Sequence, residues 1–229
     1  MGARQPALRG AVEWLRDRVV SAIVEPVDLA LCLAVDASSS VDHDEFGLMM
    51  GGYAAAFRDA GIAAACTAGP RGAVAVAMLQ WSGPGEQALV LPWTRLDSPG
   101  AIAAFADALD ATPRIARAGA TALGEGLAAS LALLARCPAD AARGVVDVSG
   151  DGPSNQGRPP APLRDIGVAA GVTINALAVL SDEPDLVAYY RAELIGGPAA
   201  FVLETPDYAA FAEAIREKLA REFAGSAIA

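Results

Sequence analysis

Asp36, Ser38 and Ser40 stand in a D-x-S-x-S spacing at the end of a strongly apolar run. Thr121 opens an apolar helical pattern, and Asp151 follows a second apolar run within Ser149-Gly150-Asp151-Gly152. All five side chains offer oxygen, the donor that hard divalent cations prefer. A cation such as Mg²⁺ takes about six oxygens and keeps some of its water. Three neutral hydroxyls would leave it electron-poor, so that an incoming carboxylate could complete its shell. Each residue also has an ordinary reading. Ser and Asp after a strand are turn and cap residues, and Thr121 fits a helix N-cap. Asp147 rivals Asp151 for the metal, but it lies inside the apolar run. A carboxylate buried there should be hydrogen-bonded or sit at the strand margin.

The elements that would position these groups follow from hydropathy. Val27–Val35 reads as a buried strand of a parallel sheet, whose carboxyl end is where ligands bind in such sheets. Residues 72–82 make a second strand. The short Gly83-Pro84-Gly85 link forces residues 86–93 to return antiparallel, with Pro92 tolerable only at an edge. Residues 143–149, 172–180 and 199–203 complete six strands. Helices are expected over residues 43–59, 99–110, 122–136, 163–170, 185–193 and 207–223. Asp42 and Glu45 have capping-box spacing, and Ser98 precedes Pro99 as an N-cap. Asp42 and Asp44 could instead serve a second cation. The Pro153–Pro160 loop should rim the site.

With its three parts in this order, Asp-Ala-Ser-Ser-Ser, then Ala-Gly-Ala-Thr-Ala-Leu-Gly, then Ser-Gly-Asp-Gly-Pro-Ser-Asn, the chain resembles the von Willebrand factor A (vWA) domain and its metal-ion-dependent adhesion site, or MIDAS. The wording is most similar to the bacterial domain of unknown function 1194 family. The resemblance covers about residues 26–222 and leaves a helical extension over 1–25 and a tail over 223–229. It implies an α/β Rossmann-like fold, with a six-stranded mostly parallel sheet of order 3-2-1-4-5-6, one antiparallel edge strand and helices on both faces. It also implies that Asp36, Ser38, Ser40, Thr121 and Asp151 hold a divalent cation, Mg²⁺ first, with Mn²⁺ or Ca²⁺ as substitutes.

Composition narrows the function. The 229-residue chain is 54% hydrophobic with a formal net charge of −10. That balance argues against generic nucleic-acid binding and against anionic membranes. No run reaches the roughly 18 apolar residues of a membrane span. Cys32, Cys66 and Cys137 lack zinc spacing. Cys32 reads as a buried strand residue; Cys66 and Cys137 fall in loop-like stretches where pairing is open. Residues 8–24 are broken by Arg9, Glu13, Arg16, Asp17 and Arg18, whereas Ala11, Leu15, Val19 and Ile23 recur at helical spacing. This is an amphipathic helix rather than a secretory segment. A cytoplasmic protein is the default expectation, although the resembled family often carries an export signal.

The expected function is a non-enzymatic module that captures a protein partner's exposed Asp or Glu through the cation. The alternative is a metal-dependent hydrolase acting on a phosphate or ester. Against it, Ser38 stands where a phosphatase would carry its second acid, and His43, the one histidine, reads as a surface residue at a helix start. A structural domain with a vestigial site is the third reading.

Overall fold

A computed structural model describes residues 25–224. The expected helix over residues 8–24 and the last five residues lie outside the described residues. The chain forms β1 (Pro26–Val27), β2 (Leu29–Asp36), α1 (His43–Arg58), α2 (Ala60–Cys66), β3 (Val74–Trp81), β4 (Gln87–Leu96) and α3 (Pro99–Asp110). It continues through α4 (Leu123–Leu134), β5 (Asp140–Ala141), β6 (Gly144–Gly150), α5 (Pro160–Ala169), β7 (Val172–Val179), α6 (Leu186–Glu193), β8 (Val202–Thr205) and α7 (Phe211–Ala224).

Six strands form one sheet in the order β4-β3-β2-β6-β7-β8. Numbered among themselves along the chain, they follow the expected 3-2-1-4-5-6. Only β4 runs antiparallel, at the edge beside β3. It extends to Leu96, beyond the expected Trp93, because irregular register opposite Val76–Leu79 absorbs Pro92. β1 and β5 form a small separate parallel pair that the sequence pattern did not announce.

β2 is buried over all eight residues, which is why it reads as a continuous apolar run. Its alternate side chains serve two cores. Leu29, Leu31, Leu33 and Val35 meet α1, α2, α3 and α7 on one face. Ala30, Cys32 and Ala34 meet α4 and α6 residues on the other. Burying each large aliphatic side chain contributes about 1.5–3 kcal/mol, so the fold has its own cohesion.

Several boundaries differ from expectation. α2 was not foreseen. Asp59 ends α1, and its side chain accepts from the Gly61 and Ile62 amides to start α2 at once. Cys66 therefore lies buried in a helix, not a loop. It is on the α1–α3 face, whereas Cys137 packs towards the other face, and both thiols are free; the sheet between them rules out the Cys66–Cys137 pairing. α5 begins earlier, at Pro160, whose missing N–H is harmless at a helix start. β8 is shifted to Val202–Thr205. α7 begins later, at Phe211, because Asp207 caps a preceding turn by accepting from the Ala210 amide. α7 runs to Ala224, one residue beyond the expected Phe223, which lies in the core. Ser98 caps α3 as expected.

Candidate metal site

Three loops at the carboxyl edge of the sheet hold the five residues singled out by type and spacing. Asp36 is the last residue of β2 and is fully buried. Its Oδ1 accepts the Ser38 amide at 2.7 Å, which turns the loop back so that Ser38 and Ser40 stand on the same side. Their hydroxyls are 3.0 Å apart. Ser40 Oγ donates to Asp151 Oδ1 at 2.8 Å, joining the first loop to the end of β6, 111 residues away. Asp151 follows Gly150, the last residue of β6, and is 4% exposed.

Thr121 does not cap α4. Ala122 holds the N-cap position, with no side-chain cap bond. The Thr121 side chain is thereby released from the capping role. Its backbone is clamped by Asn155, whose Oδ1 accepts the Thr121 amide while the Asn155 amide donates to the Thr121 carbonyl, both at 2.9 Å. A side-chain carbon at Gly152 would stand 4.0 Å from Thr121 Oγ1, so the hydroxyl faces the turn just after Asp151.

Groups outside the motif hold these loops. Arg114 spends its guanidinium on the carbonyls of Ala37, Ser38 and Val41. Gln80 accepts the Ile115 amide and donates to the Pro113 carbonyl, and Ser82 donates to the Arg117 carbonyl. The Ser39 amide donates to Gly119. Gly150 leaves room for the site: a Cβ there would come within 2.9 Å of the Tyr190 hydroxyl and 3.0 Å of Asp36 Oδ2 and displace one of them. Arg114, Gln80, Asn155 and Tyr190 were not singled out by sequence reasoning. Their roles depend on contacts between distant loops, and no spacing rule signals them.

The electrostatics are one-sided. Burial, reinforced by Asp151, pushes the Asp36 carboxyl up to about 7. Burial also raises Asp151, against the pull of the Ser40 hydroxyl. Asp36 Oδ2 is buried without a hydrogen-bond partner. Among the described residues, no Lys or Arg makes an ion pair with either acid. An unpartnered carboxylate oxygen in a cluster with a second acid and the Ser38 and Ser40 hydroxyls fits a hard divalent cation. Among the described residues, no group of three or more His, Cys, Asp or Glu is placed to hold a metal; the donor set here is mainly hydroxyl.

Two other sequence readings resolve plainly. Asp147 is not an alternative ligand. It points to the opposite face of the sheet, where it is fully buried in contact with Lys218 Nζ. Asp42 accepts the Glu45 amide and Glu45 accepts the Asp42 amide, each at 2.8 Å. This is a complete capping box, which accounts for Asp42 and Glu45 without a second cation. His43 is exposed at the start of α1. The loop from Pro153 to Pro160 borders the site through Ser154 and Asn155, and Arg158 anchors it to Glu125 on α4 at 2.9 Å.

The fold is that of vWA domains. Proximal thread matrix protein 1 from the mussel byssus, in a structure with a zinc-occupied MIDAS motif, aligns with a TM-score of 0.59 at 20% identity over 87% of this chain. The present chain spans only 47% of that one. The vWF domain of the type V pili tip protein Mfa5 from Porphyromonas gingivalis aligns with a TM-score of 0.59 at 10% identity, covering 88% of this chain and 96% of that one. The SpRpn10 VWA domain gives a TM-score of 0.56 at 11% identity, covering 82% and 94% respectively. No curated protein sequence matches the chain. The family model described as "Protein of unknown function (DUF1194)" matches residues 26–227, and the chain belongs to that family.

Proposed function

We propose that this domain is a non-enzymatic protein-binding module that grips an acidic side chain of its partner through a divalent cation, with Mg²⁺ the first choice. The observation that carries this reading is the buried, unpartnered Asp36 Oδ2 alongside the hydrogen-bonded series Ser38–Ser40–Asp151. In it, Ser38, Ser40 and Thr121 are neutral ligands, and Asp36 and Asp151 supply the charge. The cation, when bound, supplies a Lewis-acidic position that a partner's Glu or Asp can fill. The chain's own groups do the rest. Arg114 and Asn155 hold the loops, and burial of Asp36 keeps bulk water from screening the site. The zinc at the MIDAS of the byssus protein supports a divalent cation in this fold.

The surrounding charge favours such a bridge. Asp42, Asp44 and Glu45 at the start of α1 would repel an acidic partner unless a cation intervened. The Ser40 hydroxyl and the Asp151 carboxylate that accepts from it suit joint ligation of a cation, and the described residues favour ligand capture over the hydrolase reading.

The test is retention of a protein partner by the immobilised full chain, in Mg²⁺ and in chelator, with Asp151→Ala as control. Retention should require both Mg²⁺ and Asp151. A partner retained equally in chelator and by the variant would end the proposal, and so would metal-dependent phosphatase or esterase turnover abolished by Asp36→Ala.

A further inference from the structure

A groove of about 790 Å³ opens on the α4–α5 face, at the amino-terminal end of the strands and opposite the candidate metal site. Leu131, Leu134, Cys137, Ala141, Ile166 and Val172 line it. Ile166 is 64% exposed there. A large apolar concavity with an exposed Ile marks a surface that something covers.

The path of the chain says what covers it. A second cavity, of about 220 Å³, adjoins the groove through Ala139, and Glu25 lines this second cavity. β1 enters in parallel with β5, Pro26 opposite Asp140 and Val27 opposite Ala141. Glu25 stands one residue before that pairing and lines the second cavity, so the described chain starts beside the mouth of the groove. The stretch from 8 to 24 carries Ala11, Leu15, Val19 and Ile23 on one helical face. As a helix it would span about 25 Å, enough to cross the groove.

We propose that residues 8–24 fold back as an amphipathic helix and seat this stripe in the α4–α5 groove of the same chain. The segment then covers the underside of the sheet and leaves the metal-site edge free. Its polar face, with Arg9, Glu13 and Arg16, remains towards solvent.

Cys137 is a native reporter, because it lines the groove while Cys32 and Cys66 are fully buried. Maleimide labelling of Cys137 in the full chain should be at least tenfold slower than in the Leu15→Asp/Val19→Asp variant, whose thermal unfolding should stay cooperative. The protection should not depend on protein concentration. Equal labelling rates would overturn the proposal. So would protection that grows with concentration, which would assign the groove to a second copy. A Val19→Cys variant gives an independent reading that does not disturb folding. A short bismaleimide should link positions 19 and 137 within one chain, and a chain showing only intermolecular or no cross-links would contradict the proposal.

Discussion

Two pairs of acids are buried in this domain, and they are balanced in different ways. Asp147 and Glu222 lie on the α7 side of the sheet with Lys218 between them. All three side chains are inaccessible to solvent, and Asn175 donates to Glu222 Oε1 at 2.7 Å. Burial holds Asp147 above the usual carboxylate range, while Lys218 pulls it back down. Asp36 and Asp151 lie at the carboxyl edge of the sheet, without an ion-paired Lys or Arg among the described residues. Arg114 is near enough to favour the Asp36 charge, but its donors go to loop carbonyls. One acidic pair carries its cation in the sequence and serves packing. The other is hydrogen-bonded to hydroxyls and is suited to a cation from solution.

The comparison can be broken most severely at Lys218. Lys218→Met removes the ammonium that lies between two buried acids, with Arg143 remaining near Glu222 alone, and should cost about 3–5 kcal/mol in urea unfolding. A loss under about 1 kcal/mol would mean that the lysine is not what balances them. Asp36→Asn should act in the opposite direction in chelator. The folded-state carboxyl sits near 7, above its ordinary value of 3.8, so the metal-free fold binds that proton more tightly than the unfolded chain. Its favourable contribution is full below about pH 4 and is lost as pH rises through 7. The Asn variant avoids this loss, and its advantage at pH 8, on the order of 4 kcal/mol at most, should vanish near pH 4. Unfolding curves at the two pH values check it.

Mg²⁺ should act on one pair only. At about 100 times its dissociation constant it should add roughly 2.7 kcal/mol to the unmodified protein and to Lys218→Met, and nothing to Asp151→Ala, in melts with and without chelator. The smallest effect belongs to Asp42. Loss of its capping bond in Asp42→Ala should cost about 1 kcal/mol. The Mg²⁺ increment should be unchanged; its loss would show that Asp42 helps hold the cation.

The strands were legible because β2, β3, β6 and β7 are buried on both faces and therefore read as mainly apolar runs, interrupted by few polar residues. The five candidate ligands were legible because they come from short segments at strand and helix ends, with D-x-S-x-S compressing three of them into five positions. α2 was not, because Ala60–Cys66 is nearly all Ala and Gly and has no apolar period; its only signal was Asp59, which ends one helix and caps the next. Arg114 and Asn155 were not, because each acts on backbone groups of a loop more than 30 residues away. Lys218 gave no sign of burial in an otherwise charged helix, although the isolated Asp147 in an apolar strand already required a partner.

Calorimetric titration of Mg²⁺ into the full chain at pH 8, alongside Asp36→Asn and Asp151→Ala, tests the central claim most directly. The account predicts saturable one-to-one binding that weakens as pH falls below 7, where the cation must displace the Asp36 proton, and no saturable binding to either variant. Equal Mg²⁺ affinity in all three proteins, or no binding to the unmodified chain at pH 8, would contradict it.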